Sequence, residues 1–280
     1  MSSTPHDPRA GFREPGPPLS RRRFLERGAR LALGAAALGL PGAGCSSPTT
    51  PQPAVNGRGE GRLQSRPPAT PPREVLAPGQ HPVDFDAERR GLLHVPPGHR
   101  PDAPAPLIVS FHGAGGSAQG WMSGWPARAD AVGALFLVPE ARSVTWDAIR
   151  GGFGPDVAFI DAALAWAFAR CAVDPARIVA HGFSDGGTYA LSLGLANGDL
   201  FRRVVAHSPG FIVNAPPHGK PPVLITHGTL DAVLPIDQTS RRLVPYLRDR
   251  GYTVDFREFG GGHEVLPSLA TAGLAWATTA

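Results

Sequence analysis

The stretch IVAHGFSDGGTYALSL, Ile178 to Leu193, allows few folds. Ile178, Val179 and Ala180 form a short apolar run of the kind that is buried in a sheet. Gly182, Phe183, Ser184, Asp185 and Gly186 match G-x-S-x-G. Beyond Gly187, Tyr189, Leu191, Leu193 and Leu195 stand among small residues, as on a helix laid against a sheet. Strand, tight turn and helix in that order need glycine where a Cβ would strike the neighbouring strand or helix, and they lift the central hydroxyl clear of the sheet. The bland alternative is a glycine-rich turn without chemistry. The agreement of pattern and context favours Ser184 as a nucleophile.

Around this stretch the chain alternates apolar strands with helical patterns. Strands are expected at Leu92 to Val95, Leu107 to Phe111, Ala134 to Val138, Ile178 to Ala180, Val204 to Ala206, Val223 to Thr226 and Val254 to Phe259. Helices are expected at Asp156 to Arg170, Ser240 to Arg250 and Ser268 to Thr278. Continuous apolar strands between helices imply a mostly parallel sheet covered on both faces. In such sheets the site lies beyond the carboxyl ends of the strands.

Those ends carry chemistry. His112, Gly113, Ala114, Gly115 and Gly116 follow the first strong strand, Ser184 the elbow strand, and His227 to Asp231 a later one. Gly260, Gly261, Gly262 and His263 follow the last. A serine hydroxyl is nearly un-ionised at neutral pH and needs a base in hydrogen-bond reach. His263 supplies one, and Asp231 would orient the imidazole and stabilise its cation. Singly, each residue has an ordinary reading. Asp231 could be a turn residue and His263 a loop histidine; His112, His181 and His227 read as structural strand-end histidines. Asp237 is a rival acid, read here as a helix cap ahead of Ser240. The conjunction Ser184, Asp231, His263 at three strand ends supports a triad.

A triad also needs donors for a tetrahedral oxyanion. The backbone N–H of Asp185 is one candidate, and that of Ala114, or failing that Gly113, is the other. Trp121, Trp146 and Phe153 lie in segments that follow strands, where they would line a pocket or simply pack. No phosphate-binding G-x-x-x-x-G-K-[ST] is present, and Pro267 stands where a zinc-protease helix would need its second histidine after His263 and Glu264. No metal and no cofactor is expected. Cys171, at the end of an apolar helical stretch, reads as a core residue.

At these residues the chain resembles the α/β-hydrolase superfamily, and within it the esterase and poly(3-hydroxybutyrate) depolymerase-like group with its feruloyl and acetylxylan esterase relatives. LIVSFHGAGG, GPDVAFIDAAL, HGFSDGGTYAL, HGTLDAVLP and GGGHEV carry the resemblance, over Leu92 to Leu274. It implies an α/β-hydrolase fold and a serine carboxylic ester hydrolase acting on small short-chain or aromatic esters. A serine peptidase of the same fold and a non-catalytic binding protein are the alternatives. Dienelactone hydrolases are also similar but use cysteine where this chain has Ser184.

The N-terminus differs in kind. Ser20, Arg21, Arg22, Arg23, Phe24 and Leu25 resemble the twin-arginine export signal, and LALGAAALGLPGAG follows, too short and weakly apolar to span a bilayer comfortably. Gly42, Ala43, Gly44 and Cys45 resemble a lipoprotein cleavage box, with glycine where leucine is preferred. From Ser46 to about Arg73 large apolar residues almost vanish, which suggests a flexible tether. The expected organisation is a signal peptide over 1–44, a linker over 45–73 and one catalytic domain over 74–280, exported to the periplasm or cell envelope, with membrane anchoring through a lipid on Cys45, or else secreted. The domain holds sixteen Lys and Arg against nineteen acids, so the net +4 of the 280-residue chain comes from the N-terminal segments and argues for no nucleic-acid partner.

Overall fold

The computed structural model describes residues 58–85 and 90–279. The twin-arginine motif, the apolar run and Cys45 lie outside the described residues. Eight strands, β1 (Gly79–Val83), β2 (Gly91–Val95), β3 (Ala105–Phe111), β4 (Leu135–Val138), β5 (Val173–Phe183), β6 (Arg203–His207), β7 (Val223–Gly228) and β8 (Val254–Phe259), form one sheet. Their order is β1-β2-β4-β3-β5-β6-β7-β8. The pairs β1–β2 and β2–β4 are antiparallel, and every other pair is parallel. This is the α/β-hydrolase fold.

Strand periodicity builds two cores. Leu107, Val109 and Phe111 of β3, Ile178 and Ala180 of β5, and Val223 and Ile225 of β7 face one side. Ile108, Val179 and Leu224 face the other. Helices α4 (Pro155–Phe168), α5 (Asp185–Ala196) and α6 (Ser240–Asp249) cover the first face. Short helices α1 (Ala118–Met122) and α2 (Pro126–Ala131), with α7 (Pro267–Thr278), cover the second. A further short helix, α3 (Asp147–Arg150), precedes α4. Every residue of β3 is buried, as a strand covered on both faces must be. Cys171 lies in the core, where burial pushes its thiol up to about 12, so it is inert.

Two expectations need correction. Strand β1 was not foreseen because its sequence, GQHPV, is polar and contains Pro82; it lies at the sheet edge, where proline is tolerated. The tether reading also fails at its end, because residues 61–66 are docked on the domain. Leu63 is 1% exposed, and its N–H donates to Asn197 Oδ1 at 2.9 Å. Arg62 donates to Ala196 O at 2.6 Å and pairs with Asp199 at 2.8 Å, and Arg66 reaches the same carboxylate at 2.6 Å. The N–H groups of Gln64 and Ser65 both donate to Asp161 Oδ1 at 2.8 Å. One leucine is a weak apolar signal. The strap is held instead by the Ala196 carbonyl and the Asn197 side chain at the end of α5 and by two carboxylates, partners distant in the chain.

Candidate active site

The elbow is built from backbone packed on backbone. A Cβ on Gly182 would lie 2.2 Å from Gly186 O, and one on Gly186 only 2.0 Å from Phe111 O. Between them Ser184 takes φ 58° and ψ −120°, a conformation that costs a non-glycine residue about 1–3 kcal/mol. Two hydrogen bonds hold it: Ser184 N–H to His207 O and Thr188 N–H to Ser184 O, both 2.9 Å.

Ser184 Oγ lies 2.8 Å from His263 Nε2, and His263 Nδ1 lies 2.7 Å from Asp231 Oδ2. The three side chains named from strand ends thus form one hydrogen-bonded line. Asp231 Oδ1 accepts the N–H groups of Val233 at 2.9 Å and Leu234 at 2.7 Å. Burial pushes this carboxyl up, but donation from His227, His263 and Leu234 outweighs it and holds the group well below the ordinary carboxylate range. His227 was expected to be structural, and it is buried. Its Nε2 faces two acceptors, Leu234 O at 2.8 Å and Asp231 Oδ2 at 3.1 Å, so it carries the proton, and Nδ1 accepts from Ser240 Oγ at 2.7 Å. Nothing in the strand pattern marked His227 as the carboxylate's second donor.

His112 and His181 also match their structural reading. His112 Nδ1 donates to Gly113 O at 2.8 Å and Nε2 accepts Ala141 N–H at 3.2 Å. His181 Nδ1 lies 2.7 Å from Ser110 Oγ. Asp237 does not cap α6. Its side chain is 77% exposed and pairs with Arg241 at 2.8 Å, a surface contact between charges one helical turn apart.

In the loop after β3, Gly115 N–H donates to Val144 O at 2.7 Å and Gly116 N–H to Gly113 O at 3.1 Å. Those two donors are committed within the protein, which favours Ala114 or Gly113 as the donor opposite Asp185. A Cβ on Gly113 would lie 3.5 Å from Ser184 Cβ, so this loop runs alongside Ser184. Asp185 is itself buried. Burial pushes its carboxyl up, against the hydroxyl of Thr145 and the nearby His263, which favour the charged form.

The pocket expectations divide. Trp121 is half-buried, stacked on Phe183 with ring centroids 6.2 Å apart, and Phe183 in turn lies 4.7 Å from the His263 ring. Phe183, half-buried and next to Ser184 in the chain, was not named from the sequence. Trp146 and Phe153 do not line an open pocket. Trp146 is fully buried, stacked on Tyr189 and donating to His112 O at 2.9 Å, and Phe153 packs on Tyr189. Two apolar side chains on strand-end loops are exposed instead, Val144 and Leu230. Leu230 directly precedes Asp231. Among the described residues no three His, Cys, Asp or Glu side chains cluster to hold a metal ion.

A family model described as Phospholipase/Carboxylesterase matches residues 157–269, a segment that contains Ser184, Asp231 and His263. "Feruloyl esterase C" of Emericella nidulans is 36% identical over 160 residues, 53% of this chain and 57% of that protein. "Putative esterase NocK" of Nocardia uniformis subsp. tsuyamanensis is 34% identical over 188 residues, 61% of this chain and 51% of that one. The chain therefore spans little more than half the length of these relatives. The crystal structure of esterase PE8 superposes with a TM-score of 0.52 at 26% identity, over 62% of this chain and 92% of that one.

Proposed function

We propose that this α/β-hydrolase is a serine carboxylic ester hydrolase working through an acyl-enzyme. The observation that carries the reading is the line Ser184 Oγ–His263 Nε2–Asp231, with contacts of 2.8 and 2.7 Å, on a strained glycine elbow. His263 accepts the Ser184 proton as Oγ bonds to the ester carbon, and the carbonyl oxygen becomes an oxyanion facing the N–H groups of Asp185 and of Ala114 or Gly113. Collapse breaks the bond to the alkoxide, which takes the proton from His263 and leaves as alcohol. Water, deprotonated by the same imidazole, then attacks the acyl carbon and releases the acid and free Ser184. Asp231 keeps Nδ1 protonated throughout, so that Nε2 is the basic nitrogen.

Small esters with short or aromatic acyl groups are the proposed substrates. Trp121, half-buried and stacked on Phe183, the residue before Ser184, is the aromatic surface proposed for a planar acyl group, and a relative named feruloyl esterase makes such a group the first to try. Hydrolysis of p-nitrophenyl acetate, p-nitrophenyl butyrate and methyl ferulate by wild type, Ser184→Ala and His263→Ala tests the reading. Both variants should lose activity, and a fluorophosphonate should label Ser184. Full activity in Ser184→Ala, or an adduct on another serine, would overturn the mechanism.

Export by the twin-arginine route and a lipid on Cys45 are proposed on the motifs at Ser20 to Leu25 and Gly42 to Cys45. Replacing Arg21 and Arg22 by lysine should retain the protein in the cytoplasm, and Cys45→Ser should release it from membranes. Unchanged export, or unchanged membrane fractionation, refutes the respective half.

A further inference from the structure

Three consecutive residues reach both sides of the oxyanion site. Val144 O accepts Gly115 N–H at 2.7 Å, and Trp146 Nε1 donates to His112 O at 2.9 Å. Between them, the Thr145 hydroxyl donates to Asp185 Oδ2. His112 and Gly115 bracket Gly113 and Ala114, while Asp185 follows the nucleophile. One tripeptide therefore ties the loop after β3 to the elbow. Thr145 and Asp185 are 8% and 6% exposed, so water competes little for their bond.

The tripeptide is itself clasped from behind. Asp156, at the start of α4, accepts the N–H groups of Arg142 and Asp147 at 2.6 Å each. Asp147 Oδ2 accepts those of Gly154 and Asp156 at 2.7 and 2.8 Å. The segment on either side of Thr145 cannot shift without breaking these bonds.

We propose that Thr145 is a positioning residue that, through the Asp185 carboxyl, sets the spacing between the two backbone donors of the oxyanion hole. Those donors sit on separate elements, the loop after β3 and the first turn of α5. Donors act on a transition state to the extent that they are already in place when charge develops. A hydroxyl bridging the elements holds that spacing without entering the pocket.

The proposal rests on the ester-hydrolase reading for one of its two readouts only. Thr145→Val keeps the side chain's shape and removes its hydroxyl, and Thr145→Ser restores the hydroxyl. Steady-state rates on p-nitrophenyl acetate and the rate of Ser184 labelling by a fluorophosphonate are measured for both, for Asp185→Ala and for Asp185→Ala combined with Thr145→Val, each at an unchanged thermal midpoint or scaled to folded protein. In Thr145→Val, kcat and the labelling rate should fall about 10- to 100-fold, less than loss of a donor itself. KM should stay within about threefold. Thr145→Ser should recover most of the loss, and the double variant should be no slower than Asp185→Ala alone, because both changes cut one contact. Wild-type kcat in Thr145→Val, a loss confined to KM, no recovery in Thr145→Ser, or multiplied losses in the double variant would each overturn it. If Ser184 labels but no ester is cleaved, the ester reading falls and the labelling rates alone decide. Wild-type Ser184 that neither labels nor hydrolyses overturns both.

Discussion

His227 Nε2 lies 3.1 Å from Asp231 Oδ2, the oxygen that also faces His263 Nδ1 at 2.7 Å. Two imidazoles from different strand ends thus converge on one carboxylate oxygen, while backbone N–H groups occupy the other. The carboxylate has no freedom to rotate away from His263, and its charge is kept by donors on both sides.

Asp231→Asn should lower kcat by about 10⁴, by analogy with loss of the acid in other serine triads, because an amide does not hold the imidazole in its working tautomer. Asp237→Asn removes only a surface ion pair and should change kcat by less than about twofold. Steady-state kinetics on p-nitrophenyl acetate compares them, and the reverse order would reassign the acid.

Acidification should stabilise the fold through Asp147. Burial, and then the charge of Asp156, push its carboxyl from 3.8 up to about 6. The folded value is the higher one, so this contribution is fully present below about 4 and is lost as pH rises through 6. Between pH 7 and pH 5, wild type should gain about 1 kcal/mol relative to Asp147→Asn, in which the titrating group is gone. Urea unfolding of both proteins at the two pH values measures it, and parallel curves would contradict it.

The strap should matter for stability. Leu63→Ala empties a buried site and should cost about 2–3 kcal/mol. Removing residues 1–66 should cost at least as much, because Asn197 and Asp161 then lose their partners. Thermal melts of the three proteins decide, and unchanged midpoints would mean that the strap is merely laid on the surface.

Trp121→Ala should lower the preference for methyl ferulate over p-nitrophenyl acetate about tenfold in kcat/KM, the worth of one aromatic contact. Trp121→Phe should keep most of it. An equal loss on both esters would remove Trp121 from the substrate wall.

Much of this was legible in the chain because it is local. The G-x-S-x-G turn between an apolar strand and a helix is dictated by steric rules that act within a few residues, and the glycines meet backbone at the places those rules require. Runs such as LIVSF and VLIT mark strands because full burial needs continuous apolar sequence, and their ends mark where polar side chains can gather. From these follow the parallel sheet, the elbow, and Ser184, Asp231 and His263 as a set.

The tertiary structure alone decided which residues meet across long stretches of chain. Thr145 and Asp185 are 40 residues apart, and Leu63 and Asn197 134 apart. Trp146, Phe153 and Trp121 look alike in sequence, yet two are buried against Tyr189 and one is half-buried against Phe183, because a loop's path depends on what the sheet brings beneath it. Asp237, read as a cap, turned outward to Arg241, while His227 turned inward to the acid. Sequence period reports whether a side chain faces the core. Its partner there is set by packing between elements, which is a property of the assembled sheet and helices and of no single segment.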